Sequence, residues 1–547
     1  MKKYINLFLL AGTLSVATSC KLDLLDNPNA VTFSNADPNF LLNRIEVDFA
    51  AFFNGVSDPG LRLTRMLNQG SSLYQNAYSP QNLDGTWTTA YAGILTDVKT
   101  LIPIAESANL HIHAGAARMM RAYVLMTLVD MFGDVPNSKA LDAAEFNPAV
   151  DKGADVYAAA LKDLDDALAS FGKTSLGTPT DLFFKASTDS WIRAANSLKL
   201  KLLLNRRLVD AAGSKSGIDA LVSGNRLIST NAQNLVFRYG SNLANPDNRH
   251  PRYAGQYSAT GGGDYQSNSY MFEFIQGKSM PDPRLRYYFY RQVLANSKDV
   301  NEIRCINQQL PAHYPVGTVF CFPSQVGYWG RDHLDSQGIP PDGLRRTAWG
   351  VYPAGGRFDN NQAAPVALGV GAGGAGLHPI LMGSFVDFML AESALILGTA
   401  GNPKAYLESG VRKSMADVRT YSLATSEGSV ITAWETAQKI NYAADVDAYV
   451  AEVLKLYDAA PTPTEKLDVI IKEYWLAAHG NGIEAYNFYR RTGSPRNQQP
   501  ALEANPGEFI RSFFYPSVYA NRNSTAVQKT SVATQVFWDT NPKGFIK

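Results

Sequence analysis

Apolar side chains recur at helical spacing along most of the chain. Between residues 154 and 170 they fall at Val156, Ala160, Leu161, Leu164, Ala167 and Leu168, with Lys162, Asp165 and Asp166 on other faces. That stripe predicts an amphipathic helix. A second run carries Trp191, Ala195, Leu198 and Leu202 at steps of three and four, with Asp189 and Ser190 as candidate caps. Similar patterns occupy roughly 86–106, 115–132, 384–398, 403–420 and 464–479, many joined by short Gly, Pro or Asn connections. One-sided helices in such number bury their stripes well as stacked pairs. The expected architecture is mainly α, with helix pairs over about 86–210 and 384–490. No repeat of about 34 residues is clean enough to define a regular array.

Between about 237 and 380 the helical period fades, and Gly, Pro, Asn and aromatic residues replace it. The stretch from Tyr253 to Tyr352 alone holds ten of the 27 tyrosines. Tyrosine and tryptophan on irregular segments supply rigid, amphipathic contact area. A large loop-rich insertion forming a ligand face is therefore expected. Its candidate contacts are Tyr265, Tyr270, Tyr328, Trp329, Arg331, Asp332, Trp349 and Tyr352. Tyr328-Trp329, set between Gly327 and Gly330, suits a stacking platform for a sugar ring, with Arg331 and Asp332 placed to bond hydroxyls.

Of the 547 residues 45% are hydrophobic, which excludes a disordered chain. The formal net charge of +1 provides no basic surplus for nucleic acid. At the start, Lys2 and Lys3 precede the apolar run Tyr4 to Ala11, and Ala17, Thr18 and Ser19 lead to Cys20. This reads as a secretory signal over 1–19, too short to span a membrane. Small residues directly before a cysteine resemble a lipobox, so Cys20 is the expected lipidation site and 20–40 a polar tether. Removal of the signal takes away two lysines and no acid, leaving the mature chain at −1. Cys305 and Cys321 then remain in an oxidising compartment. They form either a disulfide worth about 3 kcal/mol in the chain-entropy model or a pair of free buried thiols.

Catalytic signatures are sparse. Of the seven histidines His111, His113, His250, His313, His333, His378 and His479, only the first two are close, and H-x-H alone does not define a metal site. G-x-S-x-G, HExxH and P-loop patterns are missing. The glycines of 369–376 read as a loop. No cofactor and no metal are expected. Paired carboxylates for glycoside hydrolysis stay open, because their separation is spatial.

Several segments resemble the SusD/RagB family of outer-membrane lipoproteins, in its SusD-like branch. The first is the tether Leu22-Asp23-Leu24-Leu25-Asp26-Asn27-Pro28-Asn29. Arg121-Ala122-Tyr123 followed by 130–136 (DMFGDVP) is similar to an early helix and turn of that branch, and Trp191 through 195–198 (ANSL) continues the likeness. Asp282-Pro283-Arg284-Leu285, Glu473-Tyr474-Trp475, 480–486 (GNGIEAY) and 489–495 (YRRTGSP) complete it. The resemblance implies a body over 41–547 built on tetratricopeptide-like helix pairs. It also implies an outer-membrane, cell-surface location held by lipid alone, and a SusC-like TonB-dependent transporter as partner. The implied function is capture of oligosaccharides and their delivery to that transporter without catalysis. A peptide-binding member of the family and a surface glycoside hydrolase are the alternatives. The 490–493 segment (RRTG) is expected to be a fold element, with Arg490 and Arg491 fixing helix ends or carboxylates.

Overall fold

The structure, a computed structural model, describes residues 36–547 except 322, 323 and 339. The signal at 1–19, Cys20 and the tether as far as residue 35 lie outside the described residues. Helices dominate, and the strands are short. Those longer than ten residues are α1 (Pro38–Leu63), α2 (Thr96–Ser107), α3 (His111–Phe132), α4 (Gly153–Phe171), α5 (Thr188–Asn205) and α6 (Ala211–Gly224). After the irregular middle come α7 (Gly383–Ile396), α8 (Pro403–Leu423), α9 (Gly428–Gln438), α10 (Tyr442–Ala459), α11 (Pro463–Ala477) and α12 (Gly482–Thr492). This is the mainly helical class that the periodicity predicts.

Neighbouring helices pack as pairs. α2 lies on α3, α3 on α4, α4 on α5 and α5 on α6 in the first half; α7 packs on α8 and α11 in the second. The α4 stripe is buried through Val156, Ala160, Leu164 and Ala167, as its spacing requires. The start of α1 falls inside the polar tether expected as far as residue 40. Asp37 caps it, its carboxylate accepting from the Asn39 amide at 2.7 Å, and Pro38 occupies the first helical position. Asp-Pro, a helix breaker within a helix, here starts one. Leu42, Ile45, Phe49, Phe52, Phe53 and Val56 of α1 are all fully buried.

Backbone contact between α1 and α12 ties the two halves together. A Cβ on Gly482 would lie 2.1 Å from the Ser57 carbonyl oxygen, and one on Gly60 would lie 2.1 Å from the Gly482 carbonyl oxygen. Backbone atoms cannot swing aside. Gly482→Ala is therefore expected to lose about 3 kcal/mol, near the upper end of overpacking costs, in urea unfolding. Gly224→Ala is the matched control: the added methyl meets nothing within 4 Å.

The middle of the chain has little regular structure. β1 (Leu235–Arg238) pairs antiparallel with β4 (Leu377–Leu381), closing the segment at its base. β2 (Phe289–Tyr290) pairs antiparallel with β3 (Ala348–Trp349). Much of the backbone between them lacks a ladder, so side chains satisfy it. Tyr257 donates to the Trp349 carbonyl at 2.6 Å, Tyr253 to Val370 at 2.9 Å and Tyr290 to Ala364 at 2.8 Å. The local excess of tyrosine thus supplies ring area and hydrogen-bond donors to a region whose helices are few and short. Cys305 and Cys321 are bonded, their Cα atoms 5.3 Å apart, which selects the disulfide over free thiols.

Candidate functional site

The aromatic residues expected on the ligand face are placed inside the protein. Trp329, Trp349 and Tyr270 are 0% exposed, and Tyr328 and Tyr352 scarcely more. Tyr328 donates to an Asp359 carboxylate oxygen at 2.6 Å beneath the Arg291 guanidinium. Trp329 packs with Ile303 and Cys321 in a small core beside the disulfide. Tyr352 stacks on Tyr288, with ring centroids 5.5 Å apart. Tyr270, Tyr288 and Trp349 surround the buried ring of His479 at 5.7, 4.3 and 4.8 Å. With both faces covered by protein, none of these rings is presented as a stacking platform. The physical reason is that Tyr270, Tyr328, Trp349 and Tyr352 join the main hydrophobic core shared with the helices, while Trp329 fills a small core of its own.

The polar candidates are structural as well. Tyr265 lies between the guanidinium groups of Arg331 and Arg346, 3.9 and 3.7 Å from its centroid, and its hydroxyl donates to Asp342. Arg331, half-buried, donates to the Gly338 carbonyl at 2.6 Å. Asp332 accepts from the amides of Asn268 and Gln499 and from the Cys321 N–H. Burial pushes its carboxyl up to about 6 against those bonds.

A more open arrangement lies where α1 meets the middle region and the segment 78–86. There Asn54, Asp58, Tyr78, Asn82, Arg252 and Asp264, with the small residues Gly55, Gly255 and Gly263, line a cavity of about 440 Å³. Asp58 and Arg62 stand one turn apart on α1, 3.0 Å from each other. Arg252, in a short helix over Pro251–Gln256, reaches Asp58 at 2.7 Å and Asp264 at 2.8 Å. Arg62 reaches the other oxygen of Asp264, which completes a ring of two acids and two arginines. Trp349 supports this ring from below. Its indole N–H donates to Asp264 at 3.1 Å, and the Arg252 guanidinium lies 5.8 Å from its ring centroid.

The electrostatics of the quartet are self-consistent. Burial alone would raise both carboxyls, but Arg252 and then Arg62 outweigh it, so Asp58 and Asp264 are held below the usual carboxylate range. Burial would lower Arg252, and Asp264 and Asp58 in turn raise it. Burial, followed by the Asp58 charge, pushes the Tyr78 phenol up, so it stays protonated and donates to Gln69 at 2.9 Å. The cavity floor is thus charged group by group yet neutral in sum. Fixed donors and acceptors of this kind suit ligand hydroxyls, and the half-buried Tyr78 ring adds an apolar edge. Of the eight residues expected from sequence, Trp349 touches this quartet through its side chain, and Tyr265 follows Asp264 in the chain with its own side chain turned to Asp342. Asp58 and Arg62 carry a local signal, the i,i+4 spacing of opposite charges. Arg252 and Asp264 carry none, because the fold brings them there.

Two family models match the chain. One, described as starch-binding associating with outer membrane, covers residues 28–314, more than half of the length. The other, Susd and RagB outer membrane lipoprotein, covers 378–539. No curated protein matches. Among solved structures, a SusD homolog from Bacteroides fragilis superposes with a TM-score of 0.66 at 19% identity, covering 93% of this chain and 100% of its own. A chitin-binding SusD homolog from Flavobacterium johnsoniae gives 0.60 at 18% identity, over 91% and 99%. One from Bacteroides uniformis gives 0.61 at 19%, over 92% and 100%. At these identities the structures speak for the fold, and the fold is the same along nearly the whole chain. The family model over more than half of the sequence goes further: the chain belongs to the SusD/RagB family of outer-membrane lipoproteins.

Proposed function

We propose that this protein is a cell-surface nutrient-binding lipoprotein. It captures oligosaccharides in the groove between α1 and the middle region and passes them, unaltered, to a SusC-like TonB-dependent transporter. Anchoring is through lipid on Cys20. Among the described residues no helix is long and apolar enough to cross a membrane.

The observation that carries the reading is the neutral Asp58–Arg62–Arg252–Asp264 quartet beside Tyr78, Asn54 and Asn82. Two fixed anions and two fixed cations in balance favour a neutral, hydroxyl-rich ligand over a strongly charged one. A chitin-binding relative of the same fold supports a glycan. The same quartet speaks against hydrolysis. Glycosidases need one carboxyl with a raised pKa as general acid, whereas Asp58 and Asp264 are both held ionised.

The test is calorimetric titration of the fragment lacking residues 1–20 against neutral oligosaccharides and, separately, peptides, with product analysis of the same samples. Saturable heat with intact oligosaccharide is expected, at a Kd of roughly micromolar to millimolar. Heat with peptides alone would give the ligand class to the peptide alternative, and product formation would establish an enzyme. Tyr78→Ala should weaken oligosaccharide binding by about tenfold, at the low end of what one ring contributes in stacking. Unchanged affinity in that variant would remove the groove from the function.

A further inference from the structure

A second and larger cavity, of about 700 Å³, is lined by Tyr74 and by residues of 313–315, 500–511 and the C-terminal segment, and shares no lining residue with the first. Tyr74 and Phe509 meet edge to face at its floor, with centroids 5.3 Å apart, and Ile546 and Ala501 add apolar surface. Three prolines, Pro315, Pro500 and Pro506, form its sides. Tyr74 and Phe509 are almost wholly buried, so the cavity offers a ligand no open aromatic face. What it offers is pyrrolidine rings, whose polarised C–H groups complement the negative face of an aromatic ring. This inverts the usual arrangement for sugars, in which the protein supplies the π-face.

Its lining carries both donors and acceptors: Arg511 and Gln535 spend their N–H groups on the backbone carbonyls of Asp539, Asn541 and Pro542, Lys547 adds an ammonium, and His313 and Glu503 are left as acceptors for a ligand. His313 directs Nε2 at the Ala501 carbonyl, 2.9 Å away, so Nε2 carries a proton, and in the neutral imidazole Nδ1 is the nitrogen with a free lone pair. Glu503 adds a carboxylate at the rim, while Glu508 is occupied by Lys543 at 2.8 Å. An aromatic ring carrying an O–H or N–H donor matches both parts of this lining.

One wall depends on the disulfide. His313 and Pro315 belong to the loop closed by Cys305–Cys321. That loop is seated by Tyr314, whose hydroxyl donates to the Pro500 carbonyl at 3.0 Å, and by Gln499, which donates to Val319 at 2.7 Å. Its far end is fixed where the Cys321 N–H meets Asp332. We propose that this cavity is a second binding site, separate from the glycan groove, that takes a neutral aromatic ligand bearing a hydrogen-bond donor, and that the Cys305–Cys321 disulfide holds its proline-and-histidine wall in place.

The probe is methylumbelliferone, a fluorescent phenol, titrated at about pH 7, where the phenol is still mostly protonated and an ordinary imidazole mostly neutral, with polarisation as readout. Wild-type protein is expected to bind it saturably. Ala504→Trp, which fills the cavity from its exposed rim, should weaken binding by about tenfold or more. Tyr78→Ala should leave it unchanged, since that ring faces the other groove. Cys305→Ser/Cys321→Ser should weaken it by about threefold while a cooperative thermal transition persists. If the double variant does not fold, Pro315→Gly tests the same wall without touching the disulfide and should show the same loss. No saturable binding, full affinity in Ala504→Trp, or a loss in Tyr78→Ala would overturn the site. Full affinity in the wall variants would overturn the role of the disulfide.

Discussion

Replacing Glu392 by alanine is expected to cost the body about 3–5 kcal/mol, the loss typical of breaking a buried ion pair from one side. Glu392 on α7 is 0% exposed. Arg491 of α12 clasps it with two bonds of 2.7 Å, and Arg207 approaches at 3.0 Å. One carboxylate thus serves two buried guanidinium groups from distant parts of the chain. Without it, both cations stay in the interior, and Arg491 keeps only the Asn205 side chain. Burial would raise the Glu392 carboxyl, but Arg491 and then Arg207 reverse this and hold it below its ordinary value. A lowered folded-state pKa means the stabilisation is complete above the unfolded-state value of about 4.3 and is lost as pH falls through the folded one. Urea midpoints at neutral pH should therefore drop sharply in Glu392→Ala, and the gap from wild type should narrow in acid. Glu408→Ala provides the comparison: its pair with Arg412 is exposed, and its loss should stay below about 1 kcal/mol. Equal losses in the two variants would show that α7 and α12 are not held together by this charge.

That ion pair also shows where hydrophobic patterning ends as a guide. α4 and α5 are legible because their apolar residues repeat on one face and the other face is charged. α12 (GIEAYNFYRRT) is polar by composition, yet residues 482–491 are all buried. Its Glu484 accepts from Tyr474 at 2.7 Å, and its Arg490 donates to Asn487 at 2.7 Å. Its burial is stabilised by charge pairing, which periodicity does not register; resemblance to the family locates it instead, and of the two arginines expected to fix helix ends or carboxylates, Arg491 is the one that binds the Glu392 carboxylate. α1 is hidden for another reason. Its stripe of Leu42, Ile45, Phe49 and Phe53 is regular, but Asp37-Pro38 at its head has two readings, a breaker and a start, distinguished only by whether the residues after Pro38 form a helix. The ligand face is the least legible part. An excess of tyrosine reads equally as a binding surface or as the core of a helix-poor segment, and packing decides for the second. The groove depends on Arg252 and Asp264 meeting Asp58 and Arg62 across nearly two hundred residues, a juxtaposition with no local trace in the sequence.

Asp264→Ala is expected to have two consequences at once, because the residue holds the groove as well as lining it. Arg252 and Arg62 would be left sharing Asp58 alone, and the indole N–H of Trp349 would lose its acceptor. Removing one member of a buried charge network in this way should cost about 3 kcal/mol. Since Arg252 and Arg62 hold Asp264 well below the ordinary carboxyl value, its contribution is complete above about pH 4 and is lost progressively as pH falls from there through the lower folded-state value. The wild type should therefore approach the variant as pH falls, as judged by thermal melts at stepped pH. The second consequence concerns ligand. With the quartet broken, the donors and acceptors of the cavity floor are no longer fixed, and oligosaccharide affinity should fall by about tenfold or more even in the folded variant. Asp264→Asn separates the two effects. The amide oxygen can still accept from Trp349, which keeps the ring seated, while the charge balance shifts to a net cation. A variant that melts near wild type but binds neutral oligosaccharide poorly would assign Asp264 to recognition as well as scaffolding. Full affinity in Asp264→Asn would mean that the quartet only shapes the cavity, and that Tyr78, Asn54 and Asn82 make the contacts.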